Sequence, residues 1–249
     1  MAEPSPIYKM SRYVTDSDVD FERRQKISSM FGMFQDIAAL HASNLGADVK
    51  WLRKKLNLAW ILMRIRVEID RYPTLAQEVV VETWPQKPKA LYDRDYMIRD
   101  SDGNSLVRAA STWVIMDLHT REIKRDQFLD YFGLEMKKER ALEKGVARMK
   151  PQGDATLAYK KEIKFSDIDY NVHVNNTKYV DYIMDVFSKE EHKSHIIKAI
   201  EVHYNNEIGF GEVIKMRRKK ASDNTDYIDG VRETDGTSVF NALVEWRPI

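Results

Sequence analysis

Two hydrophobic patterns alternate along the chain, one with the period of a helix and one typical of strands. Between Lys26 and Ser43 apolar residues recur every three or four positions, which predicts an amphipathic helix with one buried face. Stretches rich in β-branched and aromatic residues flank this helix and predict strands. The strands are expected at residues 8–14, 60–70, 78–84, 91–100 and 105–117.

The same order of patterns returns in the second half. The segment from Phe165 to Phe187, FSDIDYNVHVNNTKYVDYIMDVF, is predicted to open as a strand, cross a polar turn and continue as a helix. Val180, Ile183, Met184 and Phe187 share one face of that helix. A cluster of polar residues therefore directly precedes a buried helix, which is typical of an active site.

The two halves also match in sequence. YKKEIKFSDID, before the second helix, resembles YKMSRYVTDSDVD before the first, and the last hairpins align without a gap, with Arg99 on Arg232. Such similarity indicates two copies of one strand–helix–strands unit. We predict an N-terminal domain over 1–133, a linker helix over 134–153 and a C-terminal domain over 154–249.

A unit with one long helix and several antiparallel strands can bury the helix stripe against the concave face of its sheet. Two such units can pair edge to edge, which protects the strand edges. This description is that of the hotdog fold. The sequence therefore predicts an α+β protein with a tandem, or double, hotdog.

Candidate chemistry lies in the turn before the second helix. Asp169, Asn171 and His173 occupy alternate positions, and alternate side chains of an extended segment point the same way. A carboxylate, an amide and an imidazole would then converge on one spot. This combination is suited to acid–base catalysis.

Comparison of the copies assigns the chemistry to the second one. The first copy has a glutamate and an arginine in place of Asn171 and His173, and Glu207 aligns with Pro73. Only the second copy therefore combines Asp, Asn, His and Glu. The first copy, with its Met, Phe and Trp residues, is expected to hold an apolar group.

Composition narrows the function classes. Forty basic and 39 acidic residues nearly cancel, which argues against a nucleic-acid partner. No run approaches the ~18 apolar residues of a membrane helix, so we expect no membrane insertion. The chain has no cysteine, which excludes disulfides, thiolate metal sites and a cysteine nucleophile. A soluble cytosolic protein is expected.

Three stretches resemble the acyl-[acyl-carrier-protein] thioesterase family, the enzymes that end fatty-acid synthesis by hydrolysing the acyl thioester. They are SDIDYNVHVNNTKYVDYI, RVEIDRYPTLAQEVVVETW and RAASTWVIMDLHTREIKR, and the similarity extends from about Tyr8 to Trp246. The Asp-x-Asn-x-His-Val-Asn-Asn string is the most specific part. The plastid-targeting extension of plant members is missing, so the resemblance implies a bacterial, cytoplasmic form.

The resemblance also implies roles. Asp169, Asn171 and His173 fall on the catalytic positions of the family, and Glu207 on its acidic position on a neighbouring strand. Family members often have Cys after that glutamate, but here it is Ile208, so a Cys–His mechanism is impossible. Either Glu207, helped by Asn171, activates a water and His173 protonates the thiolate, or Asp169 attacks the thioester. We expect no cofactor and no metal ion.

The remaining predictions concern substrate and partner. The residues expected to contact the substrate are Met30, Phe34, Trp60, Asn175 and Asn176. The last two would bind the oxyanion through backbone amides at the helix start. The carrier protein is acidic in this family, so a basic docking face is expected. Its candidates are Arg23, Arg24, Lys26, Arg53, Lys54, Lys55, Arg217 and Arg218.

Two other functions stay open at this point. One is an acyl-CoA thioesterase, which shares the fold and the chemistry. The other is a non-catalytic acyl-binding regulatory module. The oligomeric state also stays open between monomer and homodimer.

Overall fold

The computed structural model of the chain describes residues 3–87, 91–124, 135–143, 145–146 and 148–249. Contacts divide the chain into two compact units, Met1–Val146 and Ala147–Ile249, here called unit 1 and unit 2. This division falls inside the predicted linker. None of the described helices is long and apolar enough to cross a membrane.

The predicted linker helix is wrong for the described residues between 135 and 153, which contain no helix. Side chains of the unit 1 sheet instead bind the backbone of this segment. Trp84 Nε1 donates to the Glu139 carbonyl at 2.8 Å, and the Ala141 amide donates to Asp95 Oδ1 at 3.1 Å. These polar contacts hold the segment against the unit 1 sheet in an irregular conformation.

Unit 1 packs one long helix against an antiparallel sheet. Its elements are β1 (Tyr8–Tyr13), α1 (Ile27–Asn44), α2 (Val49–Trp51), β2 (Leu58–Ile69), β3 (Glu78–Pro85), β4 (Tyr92–Arg99), β5 (Ser105–Asp117) and β6 (Ile123–Lys124). The strand order is β1-β3-β4-β5-β2, with β6 paired to β5. The predicted strands and long helix match these bounds within two residues.

Unit 2 repeats this arrangement. Its elements are β7 (Thr156–Glu162), α3 (Asn176–Met184), α4 (Lys189–Ser194), β8 (His195–Tyr204), β9 (Val213–Ser222), β10 (Thr225–Arg232) and β11 (Ser238–Pro248). The strand order β7-β9-β10-β11-β8 is that of unit 1, element for element. The internal repeat and the predicted hotdog architecture are therefore confirmed.

The core of each unit lies between its long helix and its sheet. The ring of Phe34 on α1 packs 4.9 Å from that of Tyr96 on β4. In unit 2, the ring of Tyr179 on α3 packs 5.3 Å from that of Phe240 on β11. Each side chain of this size contributes about 1.5–3 kcal/mol when fully buried. The stripe predicted for α1 is thus the face that binds the sheet. In α3 the ring against the sheet is that of Tyr179, which was outside the predicted stripe, and the predicted helix is too long, because α3 ends at Met184 and Phe187 lies beyond it.

The last hairpins of the two units differ in length. Ile98 of β4 pairs with Val107 of β5, whereas Gly230 of β10 pairs with Phe240 of β11. The connection in unit 2 is therefore one residue longer. The ungapped alignment of these hairpins is wrong by one position at Arg232, which lies past the counterpart of Arg99.

Candidate active site

The polar turn before α3 is a tight loop and not an extended segment. Phe165–Asp167 forms a 3₁₀ turn, so the prediction that this stretch opens as a strand is wrong. The Asp169 amide donates to the His173 carbonyl at 3.1 Å, and the Val172 amide donates to the Asp169 carbonyl at 3.0 Å. These bonds fold the backbone back on itself, so alternation of side chains does not apply here.

Side-chain contacts and one left-handed residue shape this loop. Asp169 Oδ1 accepts from the Asn171 amide at 2.8 Å, and Asp169 Oδ2 accepts from Asn171 Nδ2 at 3.3 Å. Val172 has a φ of 68°, which costs a β-branched residue about 1–2 kcal/mol. The loop thereby fixes the Asn171 side chain against Asp169.

His173 and Glu207 face each other across two loops. Their Nε2 and Oε1 atoms are 3.8 Å apart, and the side chains are 31% and 44% exposed. The Val174 amide donates to the Ile208 carbonyl at 3.1 Å and joins the two loops at the next residues. The imidazole and the carboxylate are thus within ion-pair distance but too far apart for a direct hydrogen bond, and water can reach both.

The two backbone amides predicted to bind the oxyanion differ in whether they already donate a hydrogen bond. The Asn175 amide donates to the Asp167 carbonyl at 3.0 Å, so it is occupied. The Asn175 side chain caps α3 by accepting from the Thr177 amide at 2.9 Å. The amide of Asn176, the first residue of α3, has no acceptor among the described residues, as expected for a first helical turn. Asn176 alone keeps the predicted role as a backbone donor.

Sequence reasoning missed three residues around Glu207. Arg232 Nη2 donates to the Glu207 carbonyl at 2.8 Å, and Arg232 Nε lies 2.9 Å from Glu212 Oε1. Burial, together with the charges of Glu207 and Glu212, raises the pKa of Tyr179, so this phenol stays neutral. The sequence comparison aligned Arg232 with Arg99 and so gave it no role at the site. Tyr179 was treated only as a helix residue.

Unit 1 contains the same loop with other side chains. The Asp20 amide donates to the Arg24 carbonyl at 2.9 Å, the Arg23 amide donates to the Asp20 carbonyl, and Arg23 has a φ of 60°. Asp20 Oδ1 accepts from the Glu22 amide at 2.8 Å. The backbone of the loop is therefore independent of the Asn and His side chains.

The residue of unit 1 that corresponds to Glu207 is Tyr72, not Pro73. The Gln25 amide donates to the Pro73 carbonyl in unit 1, as the Val174 amide donates to Ile208 in unit 2. Pro73 therefore corresponds to Ile208, one position later than the sequence comparison predicted. The position of the carboxylate is taken by an aromatic ring.

The predicted acyl-binding residues lie in unit 1. Met30 and Phe34 are fully buried on the sheet-facing side of α1. Trp60 is partly buried, donates to the Ala47 carbonyl at 3.2 Å and packs edge-on against Tyr92 at 5.0 Å. Their role in binding an acyl chain stays a prediction.

The predicted docking cations fall into two groups. Arg217 forms two hydrogen bonds with Asp229, and Arg218 Nε donates to Asp226 Oδ1 at 2.9 Å. Arg24 lies 3.4 Å from Asp20. The first group, Arg24, Arg217 and Arg218, is therefore paired with carboxylates of the same unit. The exposed candidates are Arg23, Lys26, Arg53, Lys54 and Lys55.

No group of three or more His, Asp or Glu side chains that could hold a metal ion is found in the described part of the chain. The arrangement around His173 offers acid–base groups and hydrogen-bond donors. Such groups can activate water and stabilise an oxyanion.

Family models match both units of the chain. The Acyl-ACP thioesterase N-terminal domain model matches residues 6–128, and the Acyl-ACP thioesterase C-terminal domain model matches residues 150–248. Together the two models extend over most of the sequence. The chain therefore belongs to the acyl-ACP thioesterase family.

Curated relatives include the palmitoyl-acyl carrier protein thioesterase of Gossypium hirsutum. It is 26% identical, and the match covers 97% of this chain and 64% of the relative. The oleoyl-acyl carrier protein thioesterase 2 of Arabidopsis thaliana is 25% identical over 83% of this chain and 61% of its own length. The chain thus spans less than two thirds of these relatives.

Solved structures of similar proteins share the fold over the whole chain. An acyl-ACP thioesterase from Bacteroides thetaiotaomicron is 25% identical with a TM-score of 0.89, and the match covers 99% of this chain and 100% of that protein. The 12:0-ACP thioesterase of Umbellularia californica is 23% identical with a TM-score of 0.87, and both chains are covered completely.

Proposed function

We propose that the protein hydrolyses the thioester of fatty acyl chains attached to acyl carrier protein and releases free fatty acid, which ends fatty-acid synthesis. The observation that carries this proposal is the pairing of His173 with Glu207 next to the braced Asp169–Asn171 loop. The unit that holds these groups belongs to a family whose relatives are named for this activity.

In the proposed reaction Glu207 takes a proton from a water molecule, and the water oxygen attacks the thioester carbonyl carbon. The amide of Asn176 donates a hydrogen bond to the resulting oxyanion. Collapse of the intermediate breaks the carbon–sulfur bond. Glu207 passes the proton through one bridging water to His173, whose Nε2 lies 3.8 Å from Glu207 Oε1, and His173 delivers a proton to the departing sulfur. Asn171, held by Asp169, orients the attacking water.

This route is favoured over attack by Asp169 because both oxygens of that carboxylate accept hydrogen bonds from Asn171. Asp20 braces the equivalent loop of unit 1, where the other site residues are missing. An aspartate at this position therefore has a structural role, bracing the loop, that does not depend on catalysis. We assign Asp169 to shaping the loop.

The variant Asp169→Asn separates the two routes, since an amide oxygen can still brace the loop but cannot act as nucleophile. Loop bracing predicts that turnover stays within about tenfold of wild type, as loss of a single supporting contact permits. Asp20→Asn is the matched control for stability. A fall to about one thousandth of wild-type turnover or lower, with unchanged unfolding, would instead identify Asp169 as the nucleophile.

The main test is release of thiol from acyl carrier proteins and acyl-CoAs of matched chain length. The chain has no cysteine, so a thiol reagent reports only product. We expect carrier-bound chains to be preferred, and His173→Ala or Glu207→Gln to lower kcat at least about 100-fold. His195→Ala, an exposed histidine of unit 2, is the control. Hydrolysis of CoA esters alone, or of neither substrate, would contradict the proposed substrate.

The acyl chain and the carrier protein are assigned to different residues. We propose that the apolar side of α1, with Met30 and Phe34, and the indole of Trp60 bind the chain. The exposed cations Lys54 and Lys55 are proposed to contact the acidic carrier protein. We also propose a cytoplasmic enzyme that acts as a monomer or homodimer without a cofactor.

A further inference from the structure

Arg232, at the end of β10, makes two hydrogen bonds and one ion pair near the site. Its Nη2 donates to the Glu207 carbonyl at 2.8 Å. Its Nε lies 2.9 Å from Glu212 Oε1, and its Nη1 donates to Asp235 Oδ2 at 3.0 Å. The guanidinium thus joins the strand end to both ends of the segment 207–212, here called the Glu207 loop.

Glu212 continues this connection back into the loop. Its second carboxylate oxygen, Oε2, accepts from the Gly209 amide at 2.6 Å. Gly209 is two residues after Glu207, so the loop is closed by one arginine and one glutamate. Such charge-assisted hydrogen bonds are about twice as strong as neutral ones.

This support matters because the Glu207 side chain is 44% exposed and is not immobilised by burial. The backbone of the loop sets the position of the Glu207 Cα and therefore the positions that its carboxylate can reach near His173. The Val174–Ile208 backbone bond fixes one side of residue 207, and Arg232 fixes its carbonyl. Loss of the arginine would free the peptide that orients the carboxylate.

Unit 1 joins the equivalent elements with the charges reversed. There Arg71, on the loop, pairs with Asp100, at the end of the strand. In unit 2 the strand end provides the cation, and the loop provides a carbonyl and Glu212. The cation at the strand end is therefore a feature of the unit that holds the candidate site, and the fold itself does not require it.

We propose that Arg232 is a positioning residue that holds the Glu207 carboxylate against His173. The proposal rests on the proposed function for its catalytic consequence. A displacement of about 1 Å in a reacting group can cost about 100-fold in rate. We therefore expect Arg232→Met to lower kcat about 10- to 100-fold while KM changes less than about threefold, because no substrate contact is removed.

The experiment is a double-mutant cycle on thioester hydrolysis with wild type, Arg232→Met, Glu207→Gln and the double variant. If Arg232 acts through Glu207, the double variant will be about as slow as Glu207→Gln alone, since residues that act as a unit are not additive. Arg232→Lys should recover part of the activity. Arg99→Met, which removes an arginine bound to a carboxylate and a carbonyl in unit 1, is the matched control.

A second readout does not depend on turnover. Amide hydrogen exchange of peptides covering 205–212 should become faster in Arg232→Met and stay unchanged in Arg99→Met. Multiplicative effects in the cycle, or unchanged exchange in the loop, would overturn the proposal. If wild type hydrolyses no thioester, the proposed function fails, and the exchange experiment still decides whether Arg232 holds the loop.

Discussion

Acidification from pH 7 to pH 5 is predicted to destabilise unit 1 through a single buried histidine. His41 on α1 has no exposed surface and lies between Arg94 and Ser5, which precedes β1. Its Nδ1 accepts from Arg94 Nη1 at 3.0 Å, so its Nε2 donates to the Ser5 carbonyl at 2.8 Å. Burial, and next the Arg94 charge, lower the pKa of His41 from 6.5 to about 4.

The sign follows from proton binding. Between pH 6.5 and 4 the unfolded state binds a proton at His41 that the folded state does not, so acidification favours unfolding. The stabilisation is complete above pH 6.5 and is lost as the pH falls toward 4. A difference of about 2.5 pKa units corresponds to about 3 kcal/mol in total, of which about 2 kcal/mol is already lost at pH 5. The free energy of unfolding of a typical domain is only about 5–15 kcal/mol, so a loss of this size is measurable.

The assay is denaturant unfolding at pH 7 and pH 5, followed by tryptophan fluorescence. Four of the five tryptophans, at positions 51, 60, 84 and 113, lie in unit 1. His41→Gln keeps one acceptor and one donor but does not titrate. We expect the variant to lose about 2 kcal/mol less than wild type between the two pH values. Equal losses in both proteins would refute the reasoning.

Two further predictions test packing and docking. Gly230→Ala would place a Cβ against the Phe240 ring, 2.8 Å from its Cδ1, and should cost about 1–3 kcal/mol in chemical denaturation. Gly32→Ala, which meets no atom within 4 Å, should not destabilise, and equal effects would refute this reading. Lys54→Glu with Lys55→Glu should lower kcat/KM for carrier-bound substrate about tenfold at low salt. The docking assignment fails if rates on carrier-bound and CoA substrates fall equally, or if salt has no influence.

The long helix and the strands could be predicted because their signals are local. The apolar spacing in α1 defines one buried face, the β-branched and aromatic content of β5 marks a strand, and both elements lie within one residue of their predicted bounds. The linker helix failed for a non-local reason. Its backbone is bound by Trp84 and Asp95, which lie far away in sequence.

The candidate site residues were grouped on a geometry that the structure contradicts. Alternation requires an extended segment, but Val172 adopts a left-handed conformation that valine normally avoids. The hydrogen bonds of Asp169 and His173 close the loop and hold that conformation. The sequence of one chain gives no signal for a left-handed valine, so the assumed extended geometry was wrong, and the roles of the site residues stay a prediction.

Arg217 and Arg218 show that a run of charged residues cannot be assigned to a docking surface from the sequence alone. In sequence they begin a basic run of four residues, which suggests a docking face. In the sheet Arg217 lies opposite Asp229 on β10, and Arg218 reaches Asp226 two residues along that strand from its partner Ile228 and also binds Glu191 at 2.7 Å. Antiparallel pairing brings these partners together from distant positions. Charge runs therefore need strand register before they can be interpreted as surfaces.

The duplication separates what the fold needs from what the chemistry needs. Both units keep the aspartate and the left-handed residue of the loop, so these belong to the scaffold. The units differ at Glu207, which corresponds to Tyr72, and in the ion pair that holds the neighbouring loop. The carboxylate and its arginine changed together relative to unit 1, which is expected if Arg232 serves Glu207. A comparison restricted to the Asp-x-Asn-x-His string includes His173 but misses Glu207 and Arg232.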